Sequence, residues 1–503
     1  MSGGDGAGAS LRRLLDGLTE AQTVPDIPVF GLSLDSRAVR TGDAFFALAG
    51  SHAHGLRYAE DASKRGAVAV VYDPSGGAGA CLPVPELDFA VPVPDLGRHL
   101  GSVAARFFGH PSETLNVVAV TGTNGKTSCT HFIADALRNE YPTAVIGTLG
   151  WGKPERLRRI AHTTPDAIEI HAILATLKAQ GIGLVALEAS SHGQAQGRIN
   201  GVRCRGALYT RVTRDHLDYH GTFESYLNAK LGLLSNPALE FVALTLDDPS
   251  VDTLRASVPE GVKVIGYSLQ GGRSADFPVI SAEALEQTPE GLHLRVNWEG
   301  RAVDVDAPVY GDFNAENLLG TMAVLLGLGY SVDAAASRVG RVRPVAGRME
   351  RFSADGVTVV VDYAHTPDAL RNVLTSLRRH CRAKLRLVFG CGGDRDKGKR
   401  PEMGAIAERL ADCVIVTDDN PRFESGDAIV QDILKGCTGS TVTVVRDRRA
   451  AIRQAIVQAG EGDIVLVAGK GHEAFQDVGG VAHEFSDREE VGKALSARHR
   501  GTE

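Results

Sequence analysis

The chain has 503 residues, 43% hydrophobic and 23% charged, which is enough for about three domains with cores of their own. A net charge of −7 gives no surface for nucleic acid, and no apolar run approaches the ~20 residues of a membrane span. The seven cysteines are scattered, odd in number and without a C-x-x-C pair, which argues against a disulfide framework or zinc site and for a reducing cytoplasm.

Residues 1–10 are rich in Gly, Ser and Ala and read as a disordered tail. Residues 11–113 form a first, small α/β unit. Phe30–Leu34, Ala44–Leu48 and Ala67–Tyr72 read as strands, and Tyr58–Arg65 as a helix. Its signature is Leu34-Asp35-Ser36-Arg37 followed by Gly42-Asp43-Ala44-Phe45-Phe46-Ala47, which by itself says little.

Residues 114–343 form a second unit, built on a parallel sheet. It opens with the valine-rich strand Val117–Val120, the turn Thr121-Gly122-Thr123-Asn124-Gly125, then Lys126-Thr127-Ser128 and a helix-like run to Asn139. Strand, glycine loop, Lys-Thr and helix in that order hold a nucleoside triphosphate. Loop N–H groups face the phosphates, Lys126 reaches the terminal ones, and the Thr127 hydroxyl binds Mg²⁺. Val120 stands where the general G-x-x-x-x-G-K-[ST] pattern has its first glycine, so the match is to a shortened form. Downstream, the buried strand Leu184–Leu187 delivers Glu188-Ala189-Ser190-Ser191-His192 at its carboxyl end, where open parallel sheets bind ligands. A carboxylate there is a natural Mg²⁺ ligand. The strand Ala207–Thr210 delivers Asp215-His216-Leu217-Asp218-Tyr219-His220, and the helix Phe223–Leu234 carries Lys230. Pro278–Tyr310 alternates around a Thr288–Gly291 turn and reads as an antiparallel hairpin region before a long apolar helix ending at Leu328.

Residues 344–503 alternate strand and helix in a Rossmann-like α/β unit. The strands are Val357–Val361, Leu385–Phe389, Cys413–Val416, Thr441–Val445 and Asp463–Val467. Each ends in polar or glycine-rich residues, so the carboxyl edge of the sheet forms a second binding face. A nucleotide domain followed by such a domain suits a ligase, with two substrates meeting in a cleft.

With these motifs in hand the chain resembles the Mur ligases, the ATP-dependent amino-acid ligases of peptidoglycan precursor synthesis. The matching segments run in order through the chain. They are Leu34–Arg37, Thr121–Thr127, Thr163-Thr164-Pro165-Asp166-Ala167, Glu188-x-Ser190-Ser191-His192, Asp215–Gly221, Gly347-Arg348-Met349-Glu350, Asp362–Asp368, Gly392–Asp396, Asp419-Asn420-Pro421-Arg422 and Gly469-Lys470-Gly471-His472-Glu473. The set is most similar to the members that add a diamino acid to UDP-N-acetylmuramoyl-L-alanyl-D-glutamate. The resemblance implies a cytoplasmic monomer that uses ATP. The free carboxylate of the nucleotide-linked dipeptide is phosphorylated, and the incoming amine attacks the acyl phosphate, leaving ADP and phosphate.

The resemblance also implies roles. Gly122 to Ser128 take the phosphates, and Lys126, Glu188, His216 and Lys230 form the catalytic set. Thr127 and Glu188 hold one Mg²⁺, and Glu188 and His216 a second, supported by Lys230 carbamylated with CO₂. From spacing alone Lys230 is a solvated helix lysine, and only the resemblance reverses that. Asn314 and Asn317 fall at adenine, and Arg348, Asp362 and His365 near ribose and phosphates. Ser36 faces the uridine diphosphate, and Thr163, Thr164, Ser190 and Arg198 the muramoyl-dipeptide. Asp419, Asn420 and Arg422 resemble meso-diaminopimelate recognition, with Arg395 on a carboxylate and Gly469 and Glu473 on the distal ammonium. An arginine fork suits the carboxylate that lysine lacks. His192 reads as structural. Arg211 stands where the family usually has asparagine, Ser128-Cys129 where threonines are common, and His54 where aspartate is usual. Two rival readings follow: a relative with a different acceptor in specialised metabolism, and a nucleotide-binding ATPase without ligase activity. The second would not need Lys230, Arg395, Arg422 and Glu473 together.

Overall fold

A computed structural model describes residues 8–20, 24–50, 53–81, 89–439 and 442–501. The chain divides into two compact units, Met1–Gly266 with Gly327–Gly329, and Tyr267–Leu326 with Tyr330–Glu503.

The first unit holds a two-stranded pair and two larger sheets. The smaller of these two is parallel and runs in chain order through Gly31–Ser33, Asp43–Ala47, Ala69–Tyr72 and Ala90–Pro92. Phe46, Val71, Leu96 and Val103 pack on one face of it. Of the expected tail, residues 1–7 lie outside the described residues, while Ala9–Ser10 pair antiparallel with Pro28–Val29. The expected helix Tyr58–Arg65 is a 3-10 turn, Gly55–Tyr58, that passes into an α-helix, Ala59–Lys64.

In the larger sheet the parallel strands lie in the order Thr143–Gly147, Leu184–Glu188, Asn116–Thr121, Gly206–Tyr209 and Phe241–Thr245. Asn116–Thr121 is central, and Val117 to Val120 are wholly buried, as a near-continuous apolar run requires. The chain leaves this strand to one side and later returns on the other, which makes its carboxyl end the switch point of the sheet. The register sets Glu188 beside Val120, and Tyr209 beside Thr121. The phosphate loop, Glu188 and Thr210 therefore emerge at one edge. The helix read as Phe223–Leu234 is α-helical over Phe223–Leu231 and tightens to a 3-10 turn over Gly232–Ser235.

The second unit opens with an antiparallel meander, Val279–Gln287, Leu292–Trp298 and Arg301–Ala307, then the helix Asp312–Gly327. Its main sheet has the order Glu350–Ala354, Val357–Asp362, Ile464–Ala468, Leu385–Phe389, Cys413–Val416 and Val442–Val444, with only the first strand antiparallel. Thr441, expected to begin the last strand, lies outside the described residues. The sheet is buried on both faces, by the helices around Leu370 and Ile406 on one side and Ile452 and Val491 on the other. A hairpin, Phe475–Val478 with Val481–Glu484, adds to the loops at the carboxyl ends of the strands. No helix among the described residues is long and apolar enough to cross a membrane.

Candidate active site

The phosphate loop is held from below. Gly122 has φ 140°, and a Cβ there would collide with the Thr210 hydroxyl. That hydroxyl donates to Asn124 O at 2.6 Å, and Thr123 Oγ1 accepts from Thr213 N at 2.8 Å. Gly125 caps the helix Lys126–Leu137, whose first turn buries Thr127 and Ser128. The Lys126 ammonium folds back on the loop, donating to Gly122 O at 2.9 Å and Thr123 O at 2.8 Å.

Lys230 is not a solvated helix lysine. Its side chain is buried, its ammonium donates to Gly122 O at 2.8 Å, and it lies 4.6 Å from the centre of the Tyr226 ring. Burial, with the Lys126 charge beside it, pushes the amine well below its ordinary pKa. Tyr226 also meets Thr123 Oγ1 at 2.8 Å, so it links lysine and loop. Sequence reasoning missed Tyr226, because an aromatic on a helix reads as plain core.

Glu188 is buried, and its carboxylate accepts from Thr148 N at 2.9 Å and Thr148 Oγ1 at 3.1 Å. A Cβ at Gly147 would collide with that carboxylate. Thr148 Oγ1 also lies 3.1 Å from Thr163 Oγ1. Thr164 donates to Ser190 Oγ at 2.9 Å, and Arg198 donates to Thr164 O at 2.7 Å. Thr164 Oγ1 also lies 2.8 Å from Glu188 O, so five sequence-chosen residues, Thr163, Thr164, Glu188, Ser190 and Arg198, form one network, with Thr148 joining Thr163 to Glu188.

His216 has φ 51° and stands in an aromatic group: its ring lies 4.8 Å from His192, which is 4.2 Å from Tyr219 and 5.4 Å from His220. Burial and the neighbouring imidazoles push His192 and His220 down, towards neutral rings. Arg211 pairs with Asp247 at 3.9 Å, and its carbonyl accepts from Thr123 N at 2.8 Å. In the small sheet Ser36 is buried at the start of a 3-10 turn capped by Asp35. No described hydrogen bond joins Ser36 to the other predicted site residues.

In the second unit Asn314 donates to Tyr310 O at 2.8 Å, and Asn317 to Asn314 Oδ1 at 3.1 Å. The buried Asp362 carboxylate accepts from Met349 N and Ala364 N, each at 2.8 Å, so it orders the backbone around Arg348. The Arg348 guanidinium lies 4.6 Å from the centre of the Tyr363 ring. His365 donates from Nδ1 to Tyr363 O at 2.8 Å, and burial lowers its pKa. Tyr363 is 4.6 Å from the His365 ring and 5.2 Å from His472, so it is a hub that the sequence reading did not single out.

Arg422 and Asn420 meet the hairpin, and the other remaining predicted residues lie on the loops beside it. Arg422 has φ 53°, and its guanidinium donates to Gly393 O at 2.8 Å and lies 4.0 Å from Asp477. Its backbone is clamped: the N–H donates to Asp477 O at 3.0 Å and the carbonyl accepts from Gly479 N at 2.7 Å. Asn420 donates to Glu473 Oε2 at 2.9 Å, and Lys470 donates to both. Asp419 is buried, which raises its carboxyl pKa. Gly469 N donates to Asp362 O at 3.1 Å. Arg395 is exposed on the neighbouring loop. That loop is fixed by Arg400, wholly buried between Glu424 and Asp432, with Glu424 in turn accepting from Asp394 N at 2.6 Å. The Arg400 guanidinium beside Glu424 holds its carboxyl down at about 2. The hairpin and Asp477 were missed, although Val478-Gly479-Gly480-Val481 carries a two-residue turn signal.

Three family models match in sequence order: Mur ligase family, catalytic domain, over residues 28–108; Mur ligase middle domain over 120–325; and Mur ligase, glutamate ligase domain, over 347–471. A UDP-N-acetylmuramoyl-L-alanyl-D-glutamate–2,6-diaminopimelate ligase of Alkalilimnicola ehrlichii is 46% identical over 495 residues, 96% of this chain and 98% of the relative. One from Pseudomonas aeruginosa is 44% identical over 485 residues, 95% and 97% of the two chains. A solved structure of a ligase of the same description is 37% identical, with a TM-score of 0.74 over 98% of this chain and 99% of its own. The chain therefore belongs to the Mur ligase family.

Proposed function

We propose that the chain is an ADP-forming ligase that joins meso-diaminopimelate to UDP-N-acetylmuramoyl-L-alanyl-D-glutamate in the cytoplasm, as a monomer, with ATP as energy source. On this reading residues 11–113 bind the uridine nucleotide through Ser36, residues 114–343 carry the chemistry, and residues 344–503 take the amino acid. The dipeptide carboxylate attacks the terminal phosphorus of ATP and ADP leaves. The amine nitrogen then attacks the acyl carbon, phosphate leaves and the nitrogen loses its proton. Lys126 and the N–H groups of Gly122 to Ser128 stabilise phosphate charge. Thr164, Ser190 and Arg198 orient the dipeptide beside Glu188.

The Thr127 hydroxyl and the Glu188 carboxylate would hold one Mg²⁺, and Glu188 with the His216 imidazole and carbamylated Lys230 a second, a donor set that suits Mg²⁺ because that ion needs only one or two protein carboxylates. Bound there, the metal supplies positive charge against the crowded anions. Lys230 suits carbamylation because burial favours its neutral amine, the form whose nitrogen can bond to the carbon of CO₂ with loss of a proton. Asn314 and Asn317 are read as adenine contacts, and Arg348, Asp362 and His365 as ribose and phosphate contacts.

The observation that carries the choice of amino acid is Arg422, held in a left-handed backbone and linked through Asp477 to Asn420 and Glu473. A guanidinium there pairs with the distal carboxylate of diaminopimelate and leaves lysine's ammonium facing a cation. The side chain of Arg211 is turned to Asp247, which weakens the case for a different acceptor. The test is phosphate release with ATP, Mg²⁺ and the UDP-linked dipeptide, adding meso-diaminopimelate or L-lysine in parallel. Release with diaminopimelate alone is expected. Release only with lysine overturns the assignment of Arg422, and release with neither overturns the acceptor.

A further inference from the structure

The amino-acid site contains a charged residue to which the reading above gives no part. Lys470 follows the strand Ile464–Ala468, and its side chain is 0% exposed. Its ammonium donates to Asn420 Oδ1 at 2.9 Å and to Glu473 Oε2 at 3.0 Å. Asn420 Nδ2 donates to the same Glu473 oxygen at 2.9 Å, which closes a triangle. Asp477 N donates to Asn420 Oδ1 at 3.0 Å.

This geometry fixes the Asn420 amide. An ammonium and a backbone N–H can only donate, so the amide atom facing both is the oxygen. The NH₂ group therefore points at Glu473. Without Lys470 the Asn420 oxygen keeps one donor of two, the Asp477 N–H, and the NH₂ group still faces a Glu473 carboxylate that has lost its cation.

Most of the charges are matched in pairs, and the two left over, Arg395 and the buried Asp419, are of opposite sign. Lys470 stands with Glu473 at 3.0 Å, Arg422 with Asp477 at 4.0 Å, and Arg448 with Asp487 at 2.7 Å, the last pair wholly buried. A head carrying both ammonium and carboxylate enters such a site without upsetting the match. A bare ammonium brings one cation that nothing balances, in surroundings where charge is costly to leave unpaired.

We propose that Lys470 is a positioning residue that sets specificity: by pairing with Glu473 and orienting Asn420 it suits the site to a zwitterionic α-amino-acid head and not to a bare ammonium. The inference rests on the amino-acid site proposed above. With Lys470 removed, Glu473 keeps its charge without a partner and the site becomes one cation short. Selectivity then moves towards an amino acid whose distal end is only an ammonium.

The experiment uses the full chain with K470M, E473Q and the double variant, and initial rates with meso-diaminopimelate or L-lysine. K470M is expected to raise the KM for diaminopimelate about tenfold or more, with kcat within about threefold and the KM for ATP unchanged. The ratio of kcat/KM for diaminopimelate over lysine falls about tenfold or more. The double variant removes both charges and regains part of that ratio. A K470M variant that weakens both amino acids equally, or leaves the KM for diaminopimelate unchanged, overturns the proposal. So does a double variant no more selective than K470M. If a melting curve shows K470M unfolded, E473Q decides: it leaves the ammonium unmatched and must lower the lysine rate more than the diaminopimelate rate, and equal loss overturns the proposal. A wild-type chain that prefers lysine instead sinks the amino-acid site itself, in an arm with no variant.

Discussion

Lys230 and Lys470 are both buried, 1% and 0% exposed, but their surroundings differ in kind. Lys230 gives its hydrogen bond to a carbonyl, Gly122 O, feels the Lys126 charge more strongly than the opposing Asp215 carboxylate, and has no carboxylate in ion-pair range among the described residues. Lys470 gives its hydrogen bonds to a carboxylate and to an amide locked onto that carboxylate. A carbonyl partner satisfies a donor without balancing a charge, so burial drives Lys230 towards the neutral amine. A carboxylate partner balances the charge, so Lys470 serves as a fixed cation. The first environment prepares a nitrogen for covalent chemistry. The second sets the electrostatic balance of a binding site.

The largest effect that tests this comparison is at Lys230. K230A is expected to lower kcat by about a hundred- to a thousandfold, the range for loss of one preorganised charge at a reacting centre. ¹³C NMR in ¹³CO₂-enriched buffer is expected to show a carbamate resonance that K230A lacks. A resonance present in both would mean that Lys230 does not carry the group. Arg422 comes next. R422A removes a charged contact worth about 2–4 kcal/mol, so the KM for diaminopimelate should rise about 30- to 1000-fold. An unchanged KM would move the amino-acid site away from the hairpin and remove the basis for the role of Lys470.

Much of this was legible before any coordinates. The strand Asn116–Thr121 and four of the five strands read in the last unit are largely apolar runs that reach a glycine or a charge within two residues, and buried parallel strands announce themselves in that way. The edge strand Glu350–Ala354, Glu-Arg-Phe-Ser-Ala, was not legible, because an edge strand needs no apolar run. The loop residues of the site were legible through resemblance, but their neighbours were not. Thr148 reaches Glu188 across 40 positions, and Lys470 reaches Asn420 across 50. No local pattern marks such partners. The burial of Lys230 was hidden for the same reason: its helix is short and only weakly patterned, and the loop that covers it lies 108 positions away.

The rule drawn from the lysines extends to His171, a buried imidazole whose partner is again a carbonyl. Nε2 lies 3.1 Å from Asn200 O, Nδ1 has no hydrogen-bond partner among the described residues, and burial lowers the pKa to about 4. Above pH 6.5 the ring is neutral in both folded and unfolded chains and contributes no pH dependence. Below it the unfolded chain takes up the proton first, so stability falls as pH falls from 6.5 towards 4. At pH 5 the loss is about 2 kcal/mol from this group alone. H171Q keeps a donor for Asn200 O and removes the titration. Urea midpoints at pH 7.5 and pH 5 should therefore lie closer together in H171Q than in the wild type. Equal separations would mean that another group dominates the acid limb.

The smallest effect is at His54, where the carbonyl and carboxylate cases can be exchanged directly. His54 caps the turn Gly55–Tyr58, accepting from Leu56 N at 3.0 Å through Nδ1, and so Nε2 carries the hydrogen that meets Asp73 O at 2.9 Å. Aspartate, the usual residue of the family here, could keep the cap but has no hydrogen to give Asp73 O. The Asp73 carboxylate is already held by Ser75 N at 2.9 Å and Leu96 N at 3.1 Å, so it supplies no donor in place of the lost ring N–H. H54D thus retains a cap worth about 1 kcal/mol and loses one buried hydrogen bond of similar size. A net destabilisation of about 1 kcal/mol is expected, read as a lower urea midpoint, with the KM for the uridine nucleotide substrate unchanged. An H54D variant as stable as the wild type would mean that the Asp73 carbonyl finds another donor, and that this turn does not distinguish a ring N–H from a carboxylate.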